Sequence, residues 1–400
     1  MSVLLGLDIG STRSKAILWN EREGIIARAS APTPVLRGEP DRRDHDAVWS
    51  VLTAVVRQLP APLRDEVRGV AVASVGEEIV LLRPDGTSIG PTPCWYTLAP
   101  RQVPEGPDTA ILSWQLFADM RAAEPSLLRS AASFTDLGSW VTMRIAGLSA
   151  SGSFLDRSHA SRTGVLSVDG EWDAGALAAC GADLVAALPR LVESGDPIGA
   201  VAPAIAAAWG IPVDVRVHAG GHDHFCGAFA AGVGQAGDVF VSVGTSESIA
   251  QLVDRHRLAD IREPGEHGFF VHGGLGYLHR SQPSGRAIAA LLEAHGSPRI
   301  EDLYAEIADP DAVPLSAAAS AFDTELRRQA HDSARLIDTL TSTSGMPARR
   351  IVIGGVPADS PHWRAVRSEA LGGEAEFVRE PELAGMGAAM LAATKREDRR

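Results

Sequence analysis

Apolar residues along this chain fall into short runs closed by glycine and hydroxyl turns. Val3–Ile9 is almost unbroken, stops at Gly10-Ser11-Thr12, and is followed by Ser14–Trp19 and, after a turn at Glu21–Gly24, by Ile25–Ser30. Runs this short, bounded by turn residues, predict strands rather than helices. Val67–Ser74 reads as a buried strand, and Ile79–Arg83 leads to a turn at Pro84-Asp85-Gly86. Helical spacing covers Asp46–Gln58, with Asp44 or Asp46 near its start, and Ala110–Gly147, in two segments broken near Pro125. Ser149–Trp172 is polar loop and short strand. Ala174–Leu184 and Pro203–Trp209 are helices around a Pro/Gly-rich linker at Glu193–Gly199.

The later pattern centres on His218 to Ala250. Asp223, flanked by His222 and His224, precedes a small-residue helix at Phe225–Val233 and a turn at Gly237-Asp238. A strand at Val239–Val243 runs into Gly244-Thr245-Ser246, and a second β-like run begins at Ser248. A helix N-terminus keeps a carboxylate ionised, and backbone N–H groups with Ser/Thr hydroxyls bind phosphoryl oxygens. Helices follow at Ser284–His295, Ile300–Ala308 and Ala317–Ser342. The chain then reads as a strand at Arg350–Ile353, a Gly354-Gly355 loop and a helix from Ser360 to Leu371. A last strand, Glu374–Val378, and a last helix, Glu382–Thr394, assign this end to the second half. No GxGxxG follows the first strand, and no GxxxxGK[ST] occurs.

One repeat carries information. LLGLDIGSTRSKAIL (4–18) and VFVSVGTSESIAQL (239–252) superpose with Gly10 on Gly244, Ser11 on Thr245, Thr12 on Ser246 and Ser14 on Ser248. Two ordinary hairpins would explain either copy alone. Taken with Asp8 and Asp223, the pair predicts a duplicated β-core holding phosphate between two hairpins.

Composition narrows the classes. A length of 400 residues accommodates two domains, and 45% apolar with 22% charged residues is ordinary for a globular protein. The net charge of −13 argues against a nucleic-acid partner, because phosphate backbones demand a basic face. Cys94, Cys180 and Cys226 form neither metal spacing nor a disulfide framework, which fits a reducing compartment. Met1–Leu7 is too short for a signal peptide, and the Ala-rich run at Val201–Trp209 is too short to span a bilayer. A soluble, cytoplasmic protein without a membrane partner is expected.

Five segments in order resemble the FGGY carbohydrate kinases of the actin/hexokinase/Hsp70 superfamily: GLDIGSTRSKAIL, VASVGEEIVLLRPDG, AGGHDHFCGAFAAGV, SVGTSES, and IVIGGVPADSPHWRAVRSEALG with GMGAAMLAA. The resemblance implies an α/β protein of two ribonuclease H-like (actin-like ATPase) domains, with mixed sheets, a duplicated core and an interdomain cleft. The domains would cover 1–236 and 237–400. It implies ATP- and Mg2+-dependent phosphorylation of a small sugar or polyol, with Asp223 as general base and Asp8 holding Mg2+ through water. Gly10, Ser11, Thr12, Lys15, Gly244, Thr245 and Ser246 would bind phosphate, and Gly354 and Gly355 would admit the adenine. Glu77, Glu78, Trp95, Asp223 and His224 would meet the substrate. Strand-end surface acids are the plainer account of Glu77 and Glu78, core packing of Trp95, and a solvated strand position of Lys15. A homodimer is compatible with the resemblance.

Departures keep other readings open. The chain is short for the family, lacks the usual Pro- and Arg-Gly-rich segment between Gly276 and Arg350, and has His224 where relatives carry an amide. His218, His222 and His224 could instead be ligands of a hydrolytic metal. A nucleotide-binding relative that has lost turnover is the third reading.

Overall fold

The computed structural model describes residues 2–98, 112–244, 246–261, 266–309, 314–355, 359–373 and 375–394. The chain packs into two compact units. One comprises 1–230, 268–274 and 382–400, the other 231–267 and 275–381.

In the first unit, the fully buried strand Val3–Ile9 lies between Arg13–Asn20, antiparallel, and Val67–Ser74, parallel. Gly24–Pro32 extends the antiparallel side and Arg216–His218 the parallel side. Its neighbours on both edges and its burial on both faces explain why Val3–Ile9 is a continuous apolar run rather than an alternating one. The helix His45–Gln58 is capped by Asp44, whose side chain accepts from Ala47 N, and it buries Val48, Leu52, Val55 and Val56 on one stripe.

A smaller layer joins Ile79–Leu82 antiparallel to Ser133–Asp136, over Phe117, Leu128 and Phe134. The sequence pattern predicts helix over Ala110–Gly147 in two segments broken near Pro125; the break is there, but a strand interrupts the second segment. The chain forms helices Trp114–Ala123 and Pro125–Ser130, the strand Ser133–Asp136, and the helix Leu137–Ala146. Four buried residues paired to a partner strand override a helical local pattern. The polar stretch after Ser149 holds the expected short strand at Phe154–Asp156 and, in addition, a short helix, Arg157–Ser161.

The last helix, Leu383–Thr394, corrects its assignment to the second half: it packs on Val3–Ile9, on Val67–Ser74 and on the helix Asp223–Ala230. Its Ala388, Ala389, Leu391 and Ala392 are buried. The approach is so close that a Cβ on Gly6 would lie 1.9 Å from the Gly385 carbonyl oxygen, and one on Gly387 1.9 Å from that of Cys226. Small residues let the backbones meet, and burying Leu391 alone contributes roughly 1.5–3 kcal/mol.

The second unit repeats the strand order. Leu275–Pro283, Ser246–Asp254 and Asp238–Val243 are antiparallel in sequence, then Arg350–Gly355 and Ala375–Val378 are added parallel. The strand Leu275–Pro283, the counterpart of Gly24–Pro32, was absent from the sequence reading. The 28-residue helix Ala317–Ser344, capped by Ser316 and closed by Gly345 in the left-handed conformation, buries Phe322, Leu326, Ala330, Ile337 and Leu340. Between it and the sheet, Arg367 forks onto Glu247 at 2.6 and 2.9 Å, with Ser333 alongside.

The repeat is real, with a slip of one residue. Ile9 pairs with Ser14, but Val243 pairs with Glu247, so the structural counterpart of Ser14 is Glu247 rather than Ser248. The second turn is shorter: Gly10 N donates to Arg13 O, whereas Gly244 N donates to Ser246 O. Ser14 and Glu247 are both fully buried, as counterparts on one sheet face must be. Gly354 and Gly355 end the strand Arg350–Gly355 rather than forming a loop. Gly355 has φ +131°, and a Cβ there would lie 2.1 Å from the Val243 carbonyl oxygen. Among the described residues no helix is long and apolar enough to cross a membrane.

Candidate functional site

In the first unit four charged residues gather at one end of the sheet. Asp8 sits near the end of its strand, and Lys15 is its cross-strand partner. Lys15 Nζ lies 3.6 Å from Asp8 Oδ2 and 3.1 Å from Glu382 Oε2, at the entrance to the last helix. Burial pushes the Asp8 carboxyl up to about 7; Lys15 works against this, while Asp223 and Glu382 add repulsion. Burial works to lower Lys15, yet Asp8 and Glu382 hold it above its ordinary value. Asp8 Oδ1 is buried and accepts no hydrogen bond among the described residues. An orphaned carboxylate oxygen amid surplus acid fits a hard, oxygen-seeking dication.

Asp223 opens the helix Asp223–Ala230 itself, two residues earlier than the predicted start. Its Oδ1 accepts from His224 N at 2.6 Å and lies 3.0 Å from His222 Nδ1; its side chain is 26% exposed. In the turn Gly10-Ser11-Thr12, Ser11 Oγ accepts from Trp95 Nε1 at 2.7 Å. Thr33 occupies the Gly10 and Thr12 carbonyls, and the Thr12 side chain is left exposed. Trp95 is thus brought to the phosphate-type turn, half-buried, rather than into the core.

Glu77 and Glu78 are buried, which removes the surface-acid account. Glu77 adopts φ +62°, rare for a side chain with a Cβ, and its Oε1 accepts from Arg162 Nε at 2.6 Å. Glu78 takes both prongs of Arg43 at 2.9 Å in a fully buried pair. The conformation of Glu77 and its partner 85 residues away mark this loop as constrained by long-range contacts.

In the second unit, Gly244 and Ser246 form the tight turn, and Gly354 pairs with Ser242. Thr245 lies outside the described residues. His218 turns Nδ1 to the Gly195 carbonyl oxygen, 3.0 Å away. Among the described residues His218, His222 and His224 do not converge as metal ligands; the group that does is Asp136, Asp156 and His159. Both nitrogens of that imidazole are already spent. Nδ1 lies 2.6 Å from Asp156 Oδ2, and Nε2 3.1 Å from Ser74 Oγ and 3.8 Å from Asp136 Oδ1. Burial alone would lower the His159 pKa, but Asp136 and Asp156 raise it to about 10.

The sequence pattern does not single these three residues out, because it shows neither the strand Ser133–Asp136 nor the helix Arg157–Ser161. A usable signal existed: each aspartate caps the helix that follows it, Asp136 accepting from Ser139 N and Asp156 from Ser158 N and His159 N.

Residues 3–103 and 110–230 match the FGGY family of carbohydrate kinases, N-terminal domain. Xylulose kinase of Bacillus subtilis is 25% identical over 301 residues, 68% of this chain and 57% of the relative. L-fuculokinase of Escherichia coli K12 is 27% identical over 267 residues, 61% of this chain and 55% of the relative. The chain thus spans little more than half the length of the curated relatives it matches. In structure, xylulose kinase from Rhodospirillum rubrum superposes with TM-score 0.82 at 20% identity, covering 100% of this chain and 91% of that one. That likeness, with the repeated strand order, establishes two ribonuclease H-like units of the actin-like ATPase fold. The chain belongs to the FGGY family of carbohydrate kinases.

Proposed function

We propose that this protein phosphorylates a hydroxyl of a small sugar or polyol, of pentulose, pentitol or tetritol type, with ATP in the cytoplasm. The observation that carries the reading is the gathering of Asp8, Lys15, Asp223 and Glu382, in which Asp8 keeps a buried oxygen without a hydrogen bond. Supporting it are the names of the relatives, which are sugar kinases.

In this reading the first unit carries substrate, base and first phosphate turn, and the second unit the second turn and the adenosine site. Phosphoryl transfer depends on positioning and charge more than on covalent help from the protein. Asp223 takes the proton of the attacking hydroxyl as general base. Asp8 holds Mg2+, which when bound neutralises phosphate charge. Lys15 keeps Asp8 aimed inward and offers a cation to phosphate oxygens. Gly10, Ser11 and Thr12, with Gly244, Thr245 and Ser246, donate to phosphates, and Gly354 and Gly355 admit the adenine. Glu77 and Glu78 shape the substrate loop through their arginines, and Trp95 and His224 line it.

The test is ADP release by purified protein with Mg2+ and ATP over pentuloses, pentitols, tetritols and glycerol. Turnover with at least one member, lost in Asp223→Asn, is expected. Substrate-independent ADP release, or none over the whole panel, would overturn the reading.

A further inference from the structure

Behind Asp223 lies a layer of side chains for which general-base chemistry has no direct use. His222 is held by its backbone first: its N–H donates to Ser158 Oγ at 2.9 Å, and it pairs with Ser74 of the strand Val67–Ser74. Its ring is then walled in. His159 stacks on it at 5.5 Å between centroids and 28° between planes, and Phe225 tilts against it at 5.1 Å. On a third side stands Gly76, where a Cβ would lie 2.5 Å from His222 Nε2. His159 is itself tied by Asp156, which also accepts from Ser158 Oγ at 2.5 Å and Ser194 Oγ at 3.3 Å.

The fixed ring delivers Nδ1 to 3.0 Å from Asp223 Oδ1. A carboxylate only accepts, so Nδ1 carries the proton in this contact. The His224 N–H lies 3.3 Å from the same nitrogen but 2.6 Å from Oδ1, and the charged oxygen takes it. Oδ1 therefore has two donors, while Oδ2 accepts no hydrogen bond among the described residues.

We propose that His222, aligned by His159 and Gly76, is a positioning residue that locks the rotation of the Asp223 carboxylate and leaves Oδ2 as the proton-accepting oxygen. This rests on the kinase reading above.

Two measurements test it. In the resting protein, 15N NMR of the histidine side chains should find His222 as the Nδ1–H tautomer and should lose that signature in Asp223→Ala. An Nε2–H tautomer in the wild type overturns the proposal whether or not the protein is a kinase. In turnover, His222→Phe should lower kcat by about 10²-fold, as a misplaced reacting group does, with KM for ATP unchanged. His222→Asn, which can present an N–H near the Nδ1 position, should recover most of that loss. Gly76→Ala, which displaces the ring without removing it, should reproduce the defect. In an Asp223→Asn background His222→Phe should cost nothing further. Additive losses, or a KM effect alone, would mean that His222 merely supports the fold. Absence of turnover from the wild type would instead sink the kinase reading, leaving the NMR result to judge the hydrogen bond.

Discussion

Replacing Gly387 by alanine sets two known effects against each other. In a helix interior the exchange ordinarily stabilises by about 1 kcal/mol, because alanine is the better helix former. Here the new methyl carbon would lie 1.9 Å from the Cys226 carbonyl oxygen and must retreat by about 1.1 Å to reach 3.0 Å, a separation below which real Cβ contacts are essentially never found. The obstacle is backbone, so no side-chain rotation relieves it. Overpacking of this kind costs about 1–3 kcal/mol, and the displacement here belongs at or above the upper end. A net loss of about 2 kcal/mol would lower the melting temperature of a unit this size by roughly 4–8 °C. Differential scanning calorimetry of Gly387→Ala beside Gly234→Ala, where a Cβ meets nothing within 4 Å, isolates the effect. Because Cys226 rides on the helix opened by Asp223, kcat should fall as well. A melting temperature that rises for Gly387→Ala would show that helix propensity wins and that the close approach described above is wrong.

Other outcomes follow from single contacts. Asp223→Asn should cut turnover by ~10²–10⁴ with ATP binding unchanged by calorimetric titration; wild-type rates would remove the base assignment. Glu247→Leu should destabilise by about 3–5 kcal/mol in urea, because it strands the buried Arg367, and Glu247→Leu/Arg367→Met should recover much of the loss. Two buried histidines tie stability to pH in opposite directions. His159, raised to about 10 in the fold, contributes fully below its unfolded value of about 6.5 and loses that contribution as pH climbs through 10. His45, lowered by burial to about 4, contributes above about 6.5 and loses its contribution as pH falls through 4. Urea unfolding across that range should show His159→Gln flattening the alkaline limb alone.

What was legible in the sequence was local. Val3–Ile9, Val67–Ser74, Pro203–Trp209 and Ile300–Ala308 begin and end where their apolar runs, prolines and glycines say they should. The residues proposed for base and metal, Asp223 and Asp8, are flagged by a helix start and a strand end. The layer behind them is not local. His159 meets Ser74 across 85 residues, and Ser74 meets Asp136 across 62, so no spacing rule joins them. Glu77 and Glu78 looked like strand-end acids because Arg162 and Arg43 stand 85 and 35 residues away. The one-residue slip between the hairpins was hidden because Gly-Ser-Thr and Gly-Thr-Ser align by letter, whereas register is set by which side chains enter the core.

The seating of Leu383–Thr394 on the first unit has a consequence for how the protein is made. Val3–Ile9 leaves the ribosome long before the helix that covers it, which comes after the whole of the second unit. At about 5–20 residues per second, the stretch from Ala230 to Leu383 takes roughly 8–30 s to translate. Throughout that interval the nascent first unit has its sheet but not its cover, and the Gly6 and Cys226 backbones wait for Gly385 and Gly387. The second unit has all its own strands by Val378 and is free to finish first. Order of synthesis and order of completion are therefore reversed, and a chaperone that shields apolar sheet during translation has its natural client in the half of the protein that is made first.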